Sequence, residues 1–157
     1  MNPSSSSQNA PFFVDTEVLR LTKNGLWFSD NTEITHEPTR KLFSKSLIRD
    51  EQGYLLKIAN ETKRVVVEDT AYFVILIEGS PDKGFHLSLS DQTEETLHPE
   101  TLSYRPGRLT CKVKDGKEEA KFLHSPYFGI LKELEEDDHA YFLLFGKKRI
   151  ELLRKSP

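Results

Sequence analysis

The chain has 157 residues, enough for one domain or two small packed lobes. Apolar residues make up 36% and charged residues 30%, the balance of a soluble globular protein, and no stretch approaches the ~20 apolar residues that span a bilayer. The net charge of −3 removes any general electrostatic case for nucleic acid, and the single cysteine, Cys111, rules out an intrachain disulfide.

Residues 1–14 open with "MNPSSSSQNAP", which is Ser-, Asn- and Pro-rich, and are expected to be a disordered tail. No basic segment leads into an apolar run there, so no secretory signal is expected, and a lone thiol fits a reduced, cytoplasmic setting. "EVLRLTKNGLWFSD" predicts a hairpin, with Asn24-Gly25 supplying the positive φ of a two-residue turn. In "HEPTRKLFSKSLIRDEQGYLL", Pro38 suits a first helical turn, and Leu42, Phe43 and Leu47 share one helical face. That helix should end near Arg49, with Gln52-Gly53 as its turn. "YLLKI" and "RVVVED" then read as strands.

The second half is richer in strands. "AYFVILIEG" is continuously apolar, which predicts cover on both faces, whereas "FHLSLS" alternates with Phe85, Leu87 and Leu89 inward. Glu94-Glu95 reads as loop. "RLTCKVKDGKEEAKFLH" predicts two strands about a Lys114-Asp115-Gly116 turn, with Cys111 as a packed, inert thiol on the face of Leu109 and Val113. "SPYFGILKELEEDD" repeats the helix signal, with Ser125 as N-cap, Pro126 in the first turn and a stripe of Tyr127, Ile130, Leu131 and Leu134. "HAYFLLF", "GKKR" and "IELL" close the chain with a hairpin.

An internal repeat emerges. His36 faces His124, Pro38 faces Pro126, Leu42-Phe43 face Ile130-Leu131, Asp50 faces Asp138, and Leu55-Leu56 face Leu143-Leu144. The offset is 126 − 38, or 88 residues, and each unit reads helix, polar turn, strand, turn, strand. A boundary at Asp69-Thr70 divides an α+β lobe over 15–69 from a second lobe over 70–157.

The polar segment "IRDEQG" is most simply a solvated helix end and turn. Its functional reading turns Arg49 into a cleft between lobes, where its five-donor fork meets a phosphate or carboxylate. The five histidines have no i, i+4 pair and no cysteine neighbour, so a zinc site is not expected, and no phosphate-loop or nucleophile-elbow motif occurs. Trp27, Phe28, Tyr54 and Tyr72 are read as core rather than as a stacking platform. Arg105 and Arg108 flank the exposed Pro106-Gly107 turn, where Arg108 could join Arg49 or Lys63 in an anion site.

"NGLWFSDNTEITHEPTRKLFSKSLIRDEQGYLL" followed by "KRVVVEDTAYFVILIEG" resembles the bacterial domain-of-unknown-function family 1285. The likeness rests on Asn24, Gly25, Trp27 and Phe28, then Leu42, Phe43, Ser44, Leu47, Arg49 and Asp50, then Gly53-Tyr54, and finally Val67, Glu68, Asp69 and Phe73. It spans most of residues 17–78 and continues more loosely through His98-Pro99 and "RLTCKVKDGKEEAKFLHSPYFGIL". The family's Thr-Asn-x-x-Asp segment after "FHLSLS" is replaced here by "SDQTEE". The resemblance implies a two-lobed α+β fold with a duplicated motif and a C-terminal lobe like a pleckstrin-homology antiparallel barrel. It also implies a small, nucleotide-like ligand at the lobe interface and a part in bacterial signalling, with no established activity.

Three readings follow. In the first, a ligand-binding module, Arg49 and Lys63 neutralise an anionic group, Tyr54 stacks, Glu68 accepts from a sugar hydroxyl or base edge, and Arg108 adds a second-lobe cation. The second is a protein-interaction module that docks a partner on a barrel edge or on the acidic stretch Glu133 to Asp138. The third, a metal-assisted hydrolase, needs Asp50, Glu68 and Asp69 to converge, although adjacent strand residues point to opposite faces. The first is preferred. No cofactor is identified, and neither nucleic acid nor membrane is an expected partner.

Overall fold

The computed structural model describes residues 11–156. These residues form an α+β fold in two compact units, one ending at Asp69 and the other beginning at Thr70. No helix among them is long and apolar enough to cross a membrane.

The first unit is one six-stranded sheet with a helix. Its strands are β1 (Leu19–Leu21), β2 (Trp27–Ser29), β3 (Thr32–Glu33), β4 (Leu47–Asp50), β5 (Gly53–Ile58) and β6 (Glu61–Val67), in the order β3-β2-β1-β6-β5-β4. Strand β6 runs parallel to β1, so Leu19 and Leu21 lie beside Val65 and Val67. Leu19, Leu21 and Val65, with Leu56, Leu47 and Trp27, are buried and make the covered face of the sheet, while Val67 is half-buried. The helix α1 (Glu37–Lys45) adds Phe43, whose ring meets Trp27 edge-on at 5.4 Å.

The β1–β2 hairpin forms, with different turn chemistry from that predicted. Gly25 N–H donates to the Thr22 carbonyl at 3.0 Å, and Thr22 N–H donates to Leu26 O at 2.8 Å. Gly25 alone takes positive φ, at 82°, so this is a three-residue loop rather than a two-residue Asn-Gly turn. Helix α1 also stops four residues early. Ser46 N–H closes onto the Leu42 and Phe43 carbonyls, and Leu47 to Asp50 continue as β4, paired to β5 from Leu47↔Leu56 to Asp50↔Gly53. Arg49 and Asp50 are therefore strand residues. Residues 1–10 of the expected tail lie outside the described residues. Its last four do not behave as a tail, because Phe13 is buried among aromatic rings.

The second unit holds a six-stranded sheet and a separate three-stranded one. The first contains β7 (Tyr72–Ser80), β8 (Gly84–Leu89), β9 (Glu94–Thr96), β10 (Ser103–Arg105), β11 (Arg108–Val113) and β12 (Glu118–Phe122), in the order β10-β11-β12-β7-β8-β9. The second contains β13 (Glu135–Glu136), β14 (Ala140–Phe145) and β15 (Lys148–Arg154). The expected pleckstrin-like antiparallel barrel is not formed: β12 lies parallel to β7, and no closed barrel occurs among the described residues. Glu94 and Glu95 belong to edge strand β9, not to a loop. The apolar run of β7 is covered only as far as Val74. A bulge at Ile75 leaves Ile75 and Leu76 43% and 49% exposed. The Lys114-Asp115-Gly116 turn stands, with all three residues at positive φ. Helix α2 (His124–Leu131) has Leu123 rather than Ser125 at its N-cap, and Ser125 sits inside the first turn.

The repeat is present with a corrected offset. Helix α2, strand β14 and strand β15 each start 87 residues after α1, β5 and β6 (37 to 124, 53 to 140, 61 to 148). Cross-strand pairing follows the same shift: Ile48↔Leu55 recurs as Glu135↔Phe142, Arg49↔Tyr54 as Glu136↔Tyr141, and Leu56↔Lys63 as Leu143↔Ile150.

Candidate functional site

The residues singled out from sequence fall into separate settings. Arg49 and Tyr54 are directly paired across β4 and β5, and the Arg49 guanidinium lies 5.9 Å from the Tyr54 ring centroid. Lys63, on β6, turns its ammonium to the Val14 and Asp15 carbonyls at 2.8 and 3.0 Å. Glu68 follows the other end of β6. Its carboxylate accepts from Arg20 at 2.9 Å and from the Lys23 amide at 3.0 Å. The Arg20 hydrogen bond comes first, and with the Lys23 amide it holds the Glu68 carboxyl below its ordinary pKa. Arg108 belongs to the second unit and pairs with Glu119 at 3.2 Å. Thus Arg49 and Tyr54 are neighbours, while Lys63, Glu68 and Arg108 have structural partners of their own.

Asp50 is also taken. It accepts the Gln52 amide at 2.9 Å and grips Arg64 from β6 through both oxygens. That guanidinium, helped by the amide, lowers the carboxyl to about 2. The opening of the turn is therefore a fastened strand end. Among the described residues, no three His, Cys, Asp or Glu side chains cluster in a way that could hold a metal ion.

"SDQTEE" has a comparable structural task. Asp91, only 9% exposed, accepts from Lys114 Nζ at 2.6 Å, and Thr93 and Glu95 bind the same lysine through its ammonium and amide. The lysine ammonium also lies 5.3 Å from the Tyr72 ring centroid. Together these contacts hold the strained turn after β11. Cys111 is buried between Leu109 and Val113, and burial, reinforced by Glu95 and Glu119, pushes its thiol up to about 12. A thiol so high carries almost no thiolate at neutral pH and is not a nucleophile.

The concave apolar site lies elsewhere. Within the second unit, Tyr104 of β10, Leu134, Tyr141 of β14, and Leu152 and Leu153 of β15 line a pocket of about 260 Å³. Tyr104 and Tyr127 have ring centroids 6.5 Å apart, and the Tyr127 hydroxyl accepts the Gly107 amide at 3.2 Å. A hydrogen bond to Tyr127 raises the Tyr104 phenol above its usual pKa, so it is neutral at physiological pH. At the pocket edge Lys155 lies 5.0 Å from the Tyr141 ring centroid and pairs with Glu136 at 2.7 Å. The bulge at Leu152 is what departs from the first repeat here: pairing slips from Phe142↔Glu151 to Tyr141↔Leu153. Sequence reasoning missed these residues. At an offset of 87 Tyr54 maps to Tyr141, and the correct alignment would have carried attention from one to the other.

A second groove of about 220 Å³ lies between β7 and α2, with Leu76, Ile77, Pro126 and Gly129 in its walls. Gly129 permits close approach there. A Cβ on it would stand 2.8 Å from the Ile77 Cδ1.

No family model matches the chain, and no curated protein matches it. Two solved crystal structures do. A DUF1285 family protein from Silicibacter pomeroyi DSS-3 superposes with a TM-score of 0.67 at 17% identity, over 87% of this chain and 79% of that one. Another from Shewanella baltica OS155 gives 0.59 at 19% identity, over 78% of this chain and 96% of that one. The chain has the fold of these DUF1285 proteins, in agreement with the resemblance of its hairpin, helix and strand motifs.

Proposed function

We propose that the protein is a small-ligand-binding module whose ligand site is the tyrosine- and leucine-lined pocket of the second unit. The observation that carries this reading is the convergence of Tyr104, Tyr141, Leu134, Leu152 and Leu153 on one concavity. Its 260 Å³ lies just below the ~300 Å³ at which drug-sized pockets begin. It therefore suits one planar ring, such as a nucleobase, rather than an entire nucleotide. Tyrosine faces bind such a ring, and leucines exclude water from it. Lys155 at the rim would meet an anionic substituent, in competition with Glu136. The family resemblance would make such a module a component of bacterial signalling.

The test is a thermal-shift screen of nucleosides, nucleotides and simple aromatic acids. A ligand at ~100 times its dissociation constant adds about 2.7 kcal/mol, a rise of several degrees for a chain of this size. Tyr141→Ala and Leu153→Arg should each abolish the shift. A shift that survives both substitutions places the ligand elsewhere, and no shift from any compound removes the reading.

A protein-interaction reading is favoured by a different observation, the exposure of Ile75, Leu76 and Phe128 at 43%, 49% and 53%. Leu76 lines the groove between β7 and α2, and exposed large apolar side chains beside a groove favour docking of a partner. Leu76→Lys should leave the ligand-induced shift intact and weaken only association with a partner.

A further inference from the structure

The first unit holds its N-terminal segment through an arrangement separate from the pocket. Residues Phe12 to Asp15 lie against β6 in an unusual way. The Glu61 carboxylate accepts from the Phe12 amide at 2.7 and 2.8 Å and from the Phe13 amide at 3.2 Å. Two residues along the strand, Lys63 donates to the Val14 and Asp15 carbonyls. Glu61 and Lys63 project from the same face of the strand, since they are two apart. One charged side chain thus gathers two consecutive amides, and the other gathers the next two carbonyls. These four contacts are to the segment's main chain.

One side chain is read as well. Phe13 is 5% exposed, with its ring 6.5 Å from that of Phe43, which in turn contacts Trp27. Val14 is 60% exposed, and Phe12, though its ring also stands 6.5 Å from that of Phe43, leaves half its surface to solvent, so Phe13 is the one aromatic of the segment that is buried. Main-chain capture with a pocket for a single anchor is how proteins bind extended peptides of loosely specified sequence.

The internal repeat provides a control. At an offset of 87, Glu61 and Lys63 correspond to Lys148 and Ile150, which make no such clamp. The helix-and-meander unit folds without it, so the clamp is an addition specific to the first copy. We propose that the slot formed by Glu61, Lys63, Phe43 and Trp27 is a peptide-docking site. Its occupant in trans is an extended peptide bearing one aromatic anchor, and the chain's own Phe12–Asp15 segment fills it in cis as an intramolecular competitor. Release of that segment sets the apparent affinity, because only the vacated fraction binds.

The test uses the full-length chain and a labelled peptide of residues 11–17, PFFVDTE. Phe13→Ala protein, its anchor removed, should bind this peptide at least about tenfold more tightly than the wild type does, and PFAVDTE should bind that variant at least about tenfold more weakly than PFFVDTE. Equal binding of the two peptides to the variant overturns the proposal. Should Phe13→Ala fail to fold, hydrogen exchange on the wild type decides. The Phe12 and Phe13 amides should exchange at least about 100-fold faster than those of Leu21 and Val65, through local release of the segment. Exchange of all four at one common rate would make the segment a permanent part of the core and refute the slot.

Discussion

The two helix-and-meander units, α1 with β4–β6 and α2 with β13–β15, share one backbone plan and bury it differently. Strands β5 and β14 match at their centres: Leu55 and Phe142 are both 8% exposed, and Leu56 and Leu143 are 0% and 1%. The third strands diverge. In β6, "ETKRVVV" places Val65 under cover and pairs in parallel with β1 in the middle of a six-stranded sheet. In β15, "KRIELLR" has no buried residue and is the end of a three-stranded sheet. A run of β-branched residues fits a central strand, and alternating charge protects an edge. The local meander thus comes from the repeat, while the larger sheet is decided by what the third strand offers its outer neighbour.

The 87-residue register can be broken most forcefully at its inward leucines. Leu56→Ala and Leu143→Ala should each destabilise by about 2–5 kcal/mol, because each empties a fully packed position. Leu144→Ala, at 37% exposure, should change stability by no more than ~1 kcal/mol. Under an 88-residue register Leu144, not Leu143, would be the counterpart of Leu56. Urea unfolding of the three variants ranks them, and a costly Leu144→Ala would contradict the assigned register.

A smaller effect separates the helices. Ser44 of α1 accepts the Trp27 indole N–H at 3.1 Å, in a buried contact, whereas its counterpart in α2 is Leu131. Ser44→Ala should cost about 1–3 kcal/mol, since it orphans a buried donor. In a double-mutant cycle, adding Trp27→Leu should cost less in the Ser44→Ala background than alone. Strict additivity would show that the hydrogen bond contributes nothing beyond the packing.

Much of the fold was legible because periodicity reports burial. The hairpin of β1 and β2, the strands β5, β6, β8, β11 and β12, and the paired helix signals were all visible in apolar spacing. Helix α1 was drawn too long because Leu47 sits at helical spacing from Phe43, although it is equally able to open the short strand Leu47–Asp50. Short apolar runs do not distinguish the two periods. The β7 bulge was hidden, since "AYFVILI" carries no glycine or charge to mark where cover stops. The candidate site fared worse. Lys63 and Glu68 looked available, but their partners, the Val14 and Asp15 carbonyls and Arg20, lie 48 or 49 residues away in the chain, and only tertiary structure brings them together. Tyr104 and Leu153 carry no motif and meet only through the approach of β10 to β15.

The finest comparison concerns two aspartates that the 87-residue offset brings into correspondence, Asp50 and Asp137. Both are held at about 2, for reasons that rank differently. Asp50 depends first on Arg64. Asp137 depends first on the His139 amide, then on Arg149 and the Ala140 amide. A carboxyl whose folded pKa lies below its unfolded value stabilises above the unfolded value, near 3.8, and loses that contribution as pH falls to about 2. Thermal melts should therefore decline across that window, and less so in Asp50→Asn/Asp137→Asn protein, with an unchanged decline refuting the linkage. Carboxyl NMR titration then separates the pair. Arg64→Met should raise the Asp50 pKa further than Arg149→Met raises that of Asp137, because the guanidinium is the leading cause at Asp50, whereas at Asp137 a backbone amide outranks it. Added salt should move them in the same order, since screening weakens the exposed ion pair more than a short amide contact. Equal responses would mean that the strand-end turns of the two repeats are fastened alike, by charge.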